Sequence, residues 1–401
     1  MSASTDKEQE IELSPDQDRA ATLLLDGIER HEEVVLTGAA GTGKSTLLKY
    51  IMNKTGRRIV IGCPTGKAAQ VAGKITGCPA TTIHKLLYKK VESDLNGELL
   101  FSDPKKPCSD RDLLVIDEAG MLGKRLYAEL KKWLPKNTPW LLTGDKEQLE
   151  PVKDTWGPDL DNPTAMLEQI HRQAAGNPII SYATAIRQGK GDEWLSDYDL
   201  GSNDTISLGG SLHAGLQWHL DRRVNGLDST LLTFTHAVRR QANAAIRNAL
   251  GIEGLVGVGD RLLIKSNSQR LGVVNGDVFD VLEVETLQGR PTWRRIWVAG
   301  REDPLMVNTD FIEKDSKLFW SWLNDMPAKI RFGYPFVHVW GGDCLTTHSA
   351  QGSQWDEVGF LWDHSFKRRK KSRVEKDREF ARRFLYTTVT RASQKVGIFA
   401  V

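Results

Sequence analysis

The stretch that most constrains this chain is Gly38 to Ser45, GAAGTGKS, which fits the pattern G-x-x-x-x-G-K-[ST] without a mismatch. Before it runs Val34-Val35-Leu36-Thr37, apolar and β-branched, and after it Thr46-Leu47-Leu48-Lys49-Tyr50-Ile51-Met52, with apolar residues at helical spacing. A strand, a glycine-rich turn and a helix start is the context that phosphate binding requires. Gly38, Gly41 and Gly43 let successive N–H groups, those of Ala40 and Thr42 among them, point into one concavity at a helix N-terminus. Lys44 adds a point charge for β- and γ-phosphates, and Ser45 offers a hydroxyl to Mg²⁺. The stretch predicts that the chain binds a nucleoside triphosphate.

Length and charge bound the rest. A chain of 401 residues exceeds one hydrophobic core, so roughly two to four domains are expected. Lys and Arg total 54 against 52 Asp and Glu, so any basic groove must be local. The four cysteines, Cys63, Cys78, Cys108 and Cys344, form no C-x-x-C pair, which argues against a zinc module and fits a reducing compartment. No apolar run approaches the roughly 18 residues of a membrane span, and the polar opening MSASTDKEQEIE reads as disordered. A cytoplasmic protein with no membrane partner is expected.

Ser14-Pro15-Asp16-Gln17 reads as a helix start, with proline at the first helical position. Gln17 could read an adenine edge through its amide, or lie solvated on the surface. The strand Arg58 to Cys63 ends in Pro64-Thr65, where open α/β sheets carry ligand sites. Thr81-Thr82-Ile83-His84 is a threonine-capped turn that could grip a phosphate backbone or simply cap a helix. Residues 88–108 break the α/β rhythm. Asn96-Gly97 inside VESDLNGELLF predicts a projecting β-hairpin.

Leu113 to Ile116 is a buried strand ending in Asp117-Glu118, a Walker B pattern: Asp117 to hold the Mg²⁺ shell, Glu118 to activate the attacking water. A further strand, Trp140 to Thr143, delivers Gln148 to a strand end where an amide could sense a γ-phosphate. Arg172 falls on the first segment beyond this domain. A second α/β set follows, with strands at 229–235, 358–362 and 396–400 and a last helix ending near Arg391. Between its halves, residues 256–340 alternate in short runs with turn signals, which predicts a small β-barrel. Its tryptophans, 293, 297, 320, 322 and 340, suit a core better than a base-stacking platform. The basic run Lys367 to Lys371 reads as a solvated loop that could touch phosphates nonspecifically.

The fold class is therefore α/β: two tandem RecA-like P-loop domains, a β-hairpin insertion in the first and a small β-barrel insertion in the second. The ordered motifs GAAGTGKS, CPTGKAA, TTIHKLL, VIDEAGML, GDKEQLEPV, QIHRQ, TTHSAQGSQWDEV and YTTVTRA sharpen this. Together they resemble a superfamily 1 helicase, of the branch containing RecD and the phage Dda helicase, over almost the whole chain. The resemblance implies an ATP- and Mg²⁺-dependent motor that acts as a monomer on single-stranded and forked DNA in replication or recombination, moving 5′ to 3′. It implies that Gln17 contacts adenine and that Arg172 and Arg391 reach the γ-phosphate. It also implies that Pro64, Thr65, Thr81, His84, Thr347 and His348 line the DNA track, with Phe101 in the strand-separating hairpin. The domain plan is then 1–87 with 109–176, hairpin 88–108, 177–255 with 341–401, and barrel 256–340. Two positions depart from the family pattern: Gln354, where Glu is common, and Gly120, where Ser is usual. Two other classes remain open, an ATPase that remodels protein complexes and a single-strand binder with a regulatory nucleotide site.

Overall fold

A computed structural model of the chain describes residues 11–93, 99–151, 154–170, 177–189, 205–268, 270–362 and 374–401. The first sheet has six strands, in the order Ala80–Thr82, Ile59–Cys63, Leu113–Ile116, Trp140–Gly144, Glu33–Gly38, Ala165–Leu167. Every pairing in it is parallel. Parallel sheets are covered on both faces, which is why these strands are apolar along their length rather than alternating. Leu36, Leu47, Ile51 and Leu141 pack on one side, and Ile83, Leu114, Leu130 and Leu142 on the other.

Parallel strands also place all their carboxyl ends on one edge. There the chain sets the phosphate loop after Gly38, Pro64-Thr65 after Cys63, His84 after Thr82, Asp117 after Ile116 and Asp145 after Gly144. The sequence segments singled out above are thus brought to one crevice by topology alone.

A second parallel sheet runs Cys344–Thr346, Ser229–Thr233, Trp355–Trp362, Ala392–Ala400, Ile206–Leu208. Its core is built on Phe360, Phe384, Leu385, Val389 and Val396, so the helix Val374–Val389 is packed along one face. Two α/β units of this kind are the two RecA-like domains.

Residues 261–341 hold a five-stranded antiparallel sheet, Leu305–Asn308, Trp293–Val298, Val278–Thr286, Arg261–Ile264, Val339–Gly341. It curls until its ends are tied: Met306 N donates to Pro335 O (3.0 Å) and Val337 N to Met306 O (2.9 Å), just ahead of the last strand. Two helices, Ser316–Asn324 and Ala328–Gly333, depart from the all-strand reading of this stretch. Asp315 caps the first, accepting from Lys317 N, and Phe319 and Leu323 are buried beneath it at helical spacing. Trp293 packs edge-on to Trp322 and Phe336, so these rings are core. Tyr88–Ser93 and Leu99–Pro104 form an antiparallel pair in which Phe101 stands opposite Val91. The Asn96-Gly97 turn, the side chain of Phe101 and the basic run 367–371 lie outside the described residues.

The units meet at the helix Gly66–Thr76. A Cβ on Gly66 would lie 2.9 Å from Val274 Cβ, and Lys67 Nζ is 3.5 Å from Asp277 Oδ1, both in the inserted unit. From the second domain Gly352, at φ 76°, would place a Cβ within 3.2 Å of the Ala68 backbone. Gly352→Ala is expected to lower the melting temperature: the left-handed conformation costs about 1–2 kcal/mol in a residue with a Cβ, and the Ala68 backbone cannot yield. An unchanged melt would mean that this contact is not held in solution.

Candidate active site

The loop after Gly38 turns through Gly41 (φ 81°) and Gly43 (φ 80°), and the helix Lys44–Lys54 starts directly on it. Inside the loop, buried Thr42 donates its hydroxyl to Ala39 O at 2.9 Å. Lys44 Nζ donates to Gly38 O (2.6 Å) and Ala39 O (3.0 Å), so the ammonium is folded over the concavity that phosphates would enter. Ser45 and Thr46 are exposed on the first turn. Gln17 is buried. Its Oε1 accepts from Ser14 N (3.0 Å) in a capping box, and its Nε2 donates to Gly43 O (3.2 Å). Its amide therefore ties the first helix to the phosphate loop.

Asp117 Oδ1 accepts from Glu118 N at 3.0 Å and from the hydroxyl of Thr143 on the neighbouring strand. Glu118 itself takes a left-handed backbone, φ 55°. Non-glycine residues hold such a conformation at a cost of about 1–3 kcal/mol, commonly where a side chain must be aimed. Burial raises the Glu118 pKa; the charges of Arg391 and Lys44 pull it down, while Asp117 and Asp145 push it up. Charges from both domains thus meet on this one carboxyl.

Arg391 is 7 % exposed and comes from the second domain. Its guanidinium donates to Thr387 O (3.2 Å), Ser353 O (3.3 Å) and Thr390 Oγ1 (3.4 Å). Those are neutral acceptors, so its charge is left to act on the cleft. Gln148 lies in the turn after Gly144, its N–H on Asp145 O at 3.2 Å. Arg172 lies outside the described residues.

The donor set fits Mg²⁺. Ser45 and Asp117 would supply two oxygen ligands, leaving phosphate oxygens and waters for the remaining positions. A cage of three or more His, Cys, Asp or Glu is not present among the described residues, nor does such a site need one.

Among the residues expected to line a nucleic-acid track, Cys63 pairs with Thr82, so Pro64-Thr65 and Thr81 sit side by side at the sheet edge. The Thr65 hydroxyl accepts from Ala68 N (3.1 Å) as a helix cap, so its side chain orders the turn. Burial lowers the pKa of His84 and of His348, which makes both rings neutral at pH 7 and able to stack or donate rather than attract phosphate as cations. The His348 ring stacks on Phe380, with centroids 6.5 Å apart and planes at 24°. Thr347 is fully buried and its hydroxyl bonds that of Thr388 at 3.0 Å, so its side chain braces the short helix Thr347–Ala350. Of the two departures, Gly120 packs on Asp145, where a Cβ would meet the carbonyl oxygen at 3.3 Å. Gln354 lines a 320 Å³ cavity with Lys67, Arg261, Asp280 and Trp355.

Sequence reasoning missed Thr143, Asp145 and Tyr386. Tyr386 Oη accepts from Ala40 N (2.9 Å) and donates to Asp145 Oδ2 (2.6 Å), bridging the domains. Its only signal was its place in YTTVTRA, five residues before Arg391.

Comparison with known proteins agrees with this geometry. A profile described as an AAA domain matches residues 12–207, and one described as a UvrD-like helicase C-terminal domain matches 341–399. The ATP-dependent RecD2 DNA helicase of Deinococcus radiodurans is 29% identical over 393 residues, covering 93% of this chain and 47% of that protein. The ATP-dependent DNA helicase dda of Enterobacteria phage T4 is 30% identical over 197 residues, covering 45% of this chain and 43% of its own length. This chain therefore matches less than half the length of either relative. Among solved structures, one of Pif1 helicases at forked double-stranded DNA superposes with a TM-score of 0.55 at 17% identity, over 96% of this chain and 92% of that one. By sequence the chain is similar to RecD-like and Dda-like DNA helicases, and its fold is similar to that of the Pif1 helicase structure.

Proposed function

We propose that this chain is an ATP-dependent DNA helicase that moves along single-stranded DNA as a monomer and opens duplex or forked DNA, in replication or recombination. One observation carries the reading: Tyr386 of one RecA-like domain, five residues before Arg391, bonds both the phosphate loop at Ala40 and Asp145 of the other, so the Asp117-Glu118 pair faces an arginine from the second domain. A single-strand binder with a regulatory nucleotide has no use for a base placed between two domains in this way. Relatives named as ATP-dependent DNA helicases support the same reading.

The chain's own residues would divide the work as follows. The loop amides and Lys44 bind the β- and γ-phosphates, and the Gln17 amide lies toward the adenine. Ser45 and Asp117 hold Mg²⁺, which supplies charge neutralisation at the phosphates. Glu118 takes the proton of the attacking water, Gln148 senses the γ-phosphate, and Arg391 with Arg172 meets the charge that develops there. Arginine suits the last task because it stays charged and its fork spans several oxygens.

Closing the cleft on nucleotide and reopening it after hydrolysis moves two grips relative to each other. Pro64, Thr65, Thr81 and His84 would form the grip of the first domain (1–87 and 109–176), and the Thr347–His348 segment would belong to that of the second (177–255 and 341–401). The hairpin 88–108 with Phe101 would part the strands, beside the accessory unit 256–340. Melting costs roughly 1–2 kcal/mol per base-pair step, and stacking a base on an aromatic returns about 1–3 kcal/mol, so one ring can offset much of the local cost.

The test is DNA-stimulated ATPase together with two matched partial duplexes that differ only in which end carries the single-stranded tail. We expect ATPase stimulation by single-stranded DNA and unwinding of the substrate with the 5′ tail, both weakened by added salt as counterions compete for phosphates. Unwinding from the 3′ tail alone would reverse the polarity and leave the motor reading standing. Unstimulated ATPase with neither substrate opened would remove it.

A further inference from the structure

The helix Val374–Val389 carries a row of side chains that grips the turn holding Gln148. Arg382 Nη1 meets Glu147 Oε2 at 2.7 Å, Arg383 Nη1 meets Glu150 Oε1 at 2.5 Å, and Thr387 Oγ1 accepts from Leu149 N at 3.0 Å. Tyr386 Oη donates to Asp145 Oδ2 at 2.6 Å. Residues 382, 383, 386 and 387 share one helix face by spacing. Gln148 is thus bracketed by Glu147 and Leu149, both bonded to the second domain.

Within this row Tyr386 differs from the rest because it also reaches the phosphate loop. A phenol can give one proton and accept another. Asp145 takes the proton and Ala40 N–H fills the acceptor position at 2.9 Å, so three segments far apart in sequence converge on one oxygen. The side chain is 1 % exposed, and burial together with the Asp145 carboxylate raises its pKa well above the ordinary phenol range, which keeps the donor proton in place.

We propose that Tyr386 is a positioning residue for ATP hydrolysis: its hydroxyl fixes the phosphate loop and the Asp145–Gln148 turn relative to Arg391, which follows it by five residues. This rests on the reading of Arg391 as the arginine that meets the γ-phosphate. Tyr386 acts through its neighbours. Removing the hydroxyl breaks the bonds to the Ala40 amide and Asp145 Oδ2 that hold the helix Val374–Val389 against the phosphate loop, and lets the arginine drift from its register.

The experiment compares wild type with Tyr386→Phe, Arg391→Ala and the double variant, measuring kcat, nucleotide Kd and melting temperature in the full chain. Phenylalanine keeps the ring in the core formed with Leu385 and Val389. Misplacement of about 1 Å can cost on the order of 10²-fold in rate, so we expect Tyr386→Phe to lose about 10- to 100-fold in kcat. Nucleotide affinity and melting temperature should stay close to wild type. In the Arg391→Ala background the same change should cost little more, because the residue it positions is already gone. Turnover within a small factor of wild type would overturn the proposal, as would a loss that multiplies with that of Arg391→Ala. If Arg391→Ala alone left turnover intact, the arginine reading would fail first and take this one with it; if only Tyr386→Phe were silent, the arginine reading would survive. Should Tyr386→Phe not fold, Asp145→Asn weakens the same bridge from the other domain, and ordinary turnover in that variant would equally overturn the idea.

Discussion

Replacing Arg391 by alanine is expected to lower ATP turnover by about 10³- to 10⁵-fold while leaving nucleotide affinity near that of wild type. The rate loss corresponds to roughly 4–7 kcal/mol of transition-state stabilisation. The selectivity follows from where the residue stands. On the proposed reading the nucleotide would be held by the first domain, through the loop, Lys44 and Gln17, whereas Arg391 enters from the second. Its guanidinium is oriented by three neutral oxygens, on Thr387, Ser353 and Thr390, and its charge already bears on Glu118. A fork held this way costs little reorganisation when charge develops on the phosphoryl oxygens, so its contribution appears in kcat. Arg391→Lys tests the fork itself: it keeps a charge but cannot span the same acceptors, and it should recover only part of the rate. Both variants need a melting curve, because alanine leaves buried carbonyls without their donor. A turnover change of less than about tenfold, with a lowered melt, would reassign Arg391 to packing between the 353 loop and the helix Val374–Val389.

How much of this site could be read from residues alone depends on whether a feature is local. The parallel strands are legible because both their faces are buried, so Leu113–Ile116 is apolar throughout and the acids that follow stand out. The phosphate loop is legible because its glycines and lysine lie within eight consecutive residues. The Tyr386 bridge is not local: Ala40 and Asp145 lie 346 and 241 residues away from it, and no periodicity links them. The same applies to Thr143, whose bond to Asp117 joins neighbouring strands. The environment of Thr347 is hidden in the same way, since only packing against Thr388 settles which way its hydroxyl turns. The helices at 316–333 are hidden by composition, since an aromatic-rich stretch such as LFWSWL satisfies strand and helix preferences alike.

Glu118→Gln should separate binding from chemistry. Glutamine keeps the size of the side chain and can keep the left-handed backbone at φ 55°, but it cannot accept the proton of the attacking water. The residues proposed to hold the nucleotide and Mg²⁺, Lys44, Ser45 and Asp117, are untouched. The expected result is ordinary Mg²⁺–ATP binding with turnover reduced by at least about 10²- to 10⁴-fold, the usual contribution of a positioned base. The raised pKa of Glu118 gives the variant two further signatures. A carboxylate must be ionised to act as a base, so wild-type kcat should fall with acid at a pH above the ordinary glutamate range, and the residual activity of the variant should lack that limb. Stability runs the other way. A folded-state pKa raised above the unfolded value means the native state binds this proton more tightly, so the stabilisation is present at low pH and is lost as pH rises through the folded pKa. At neutral pH and above, the buried carboxylate is therefore a burden that glutamine removes, and the variant should melt no lower than wild type. A variant that lost nucleotide binding, or that melted well below wild type at neutral pH, would show Glu118 to be a structural acid, and the base for hydrolysis would have to be sought elsewhere in the cleft.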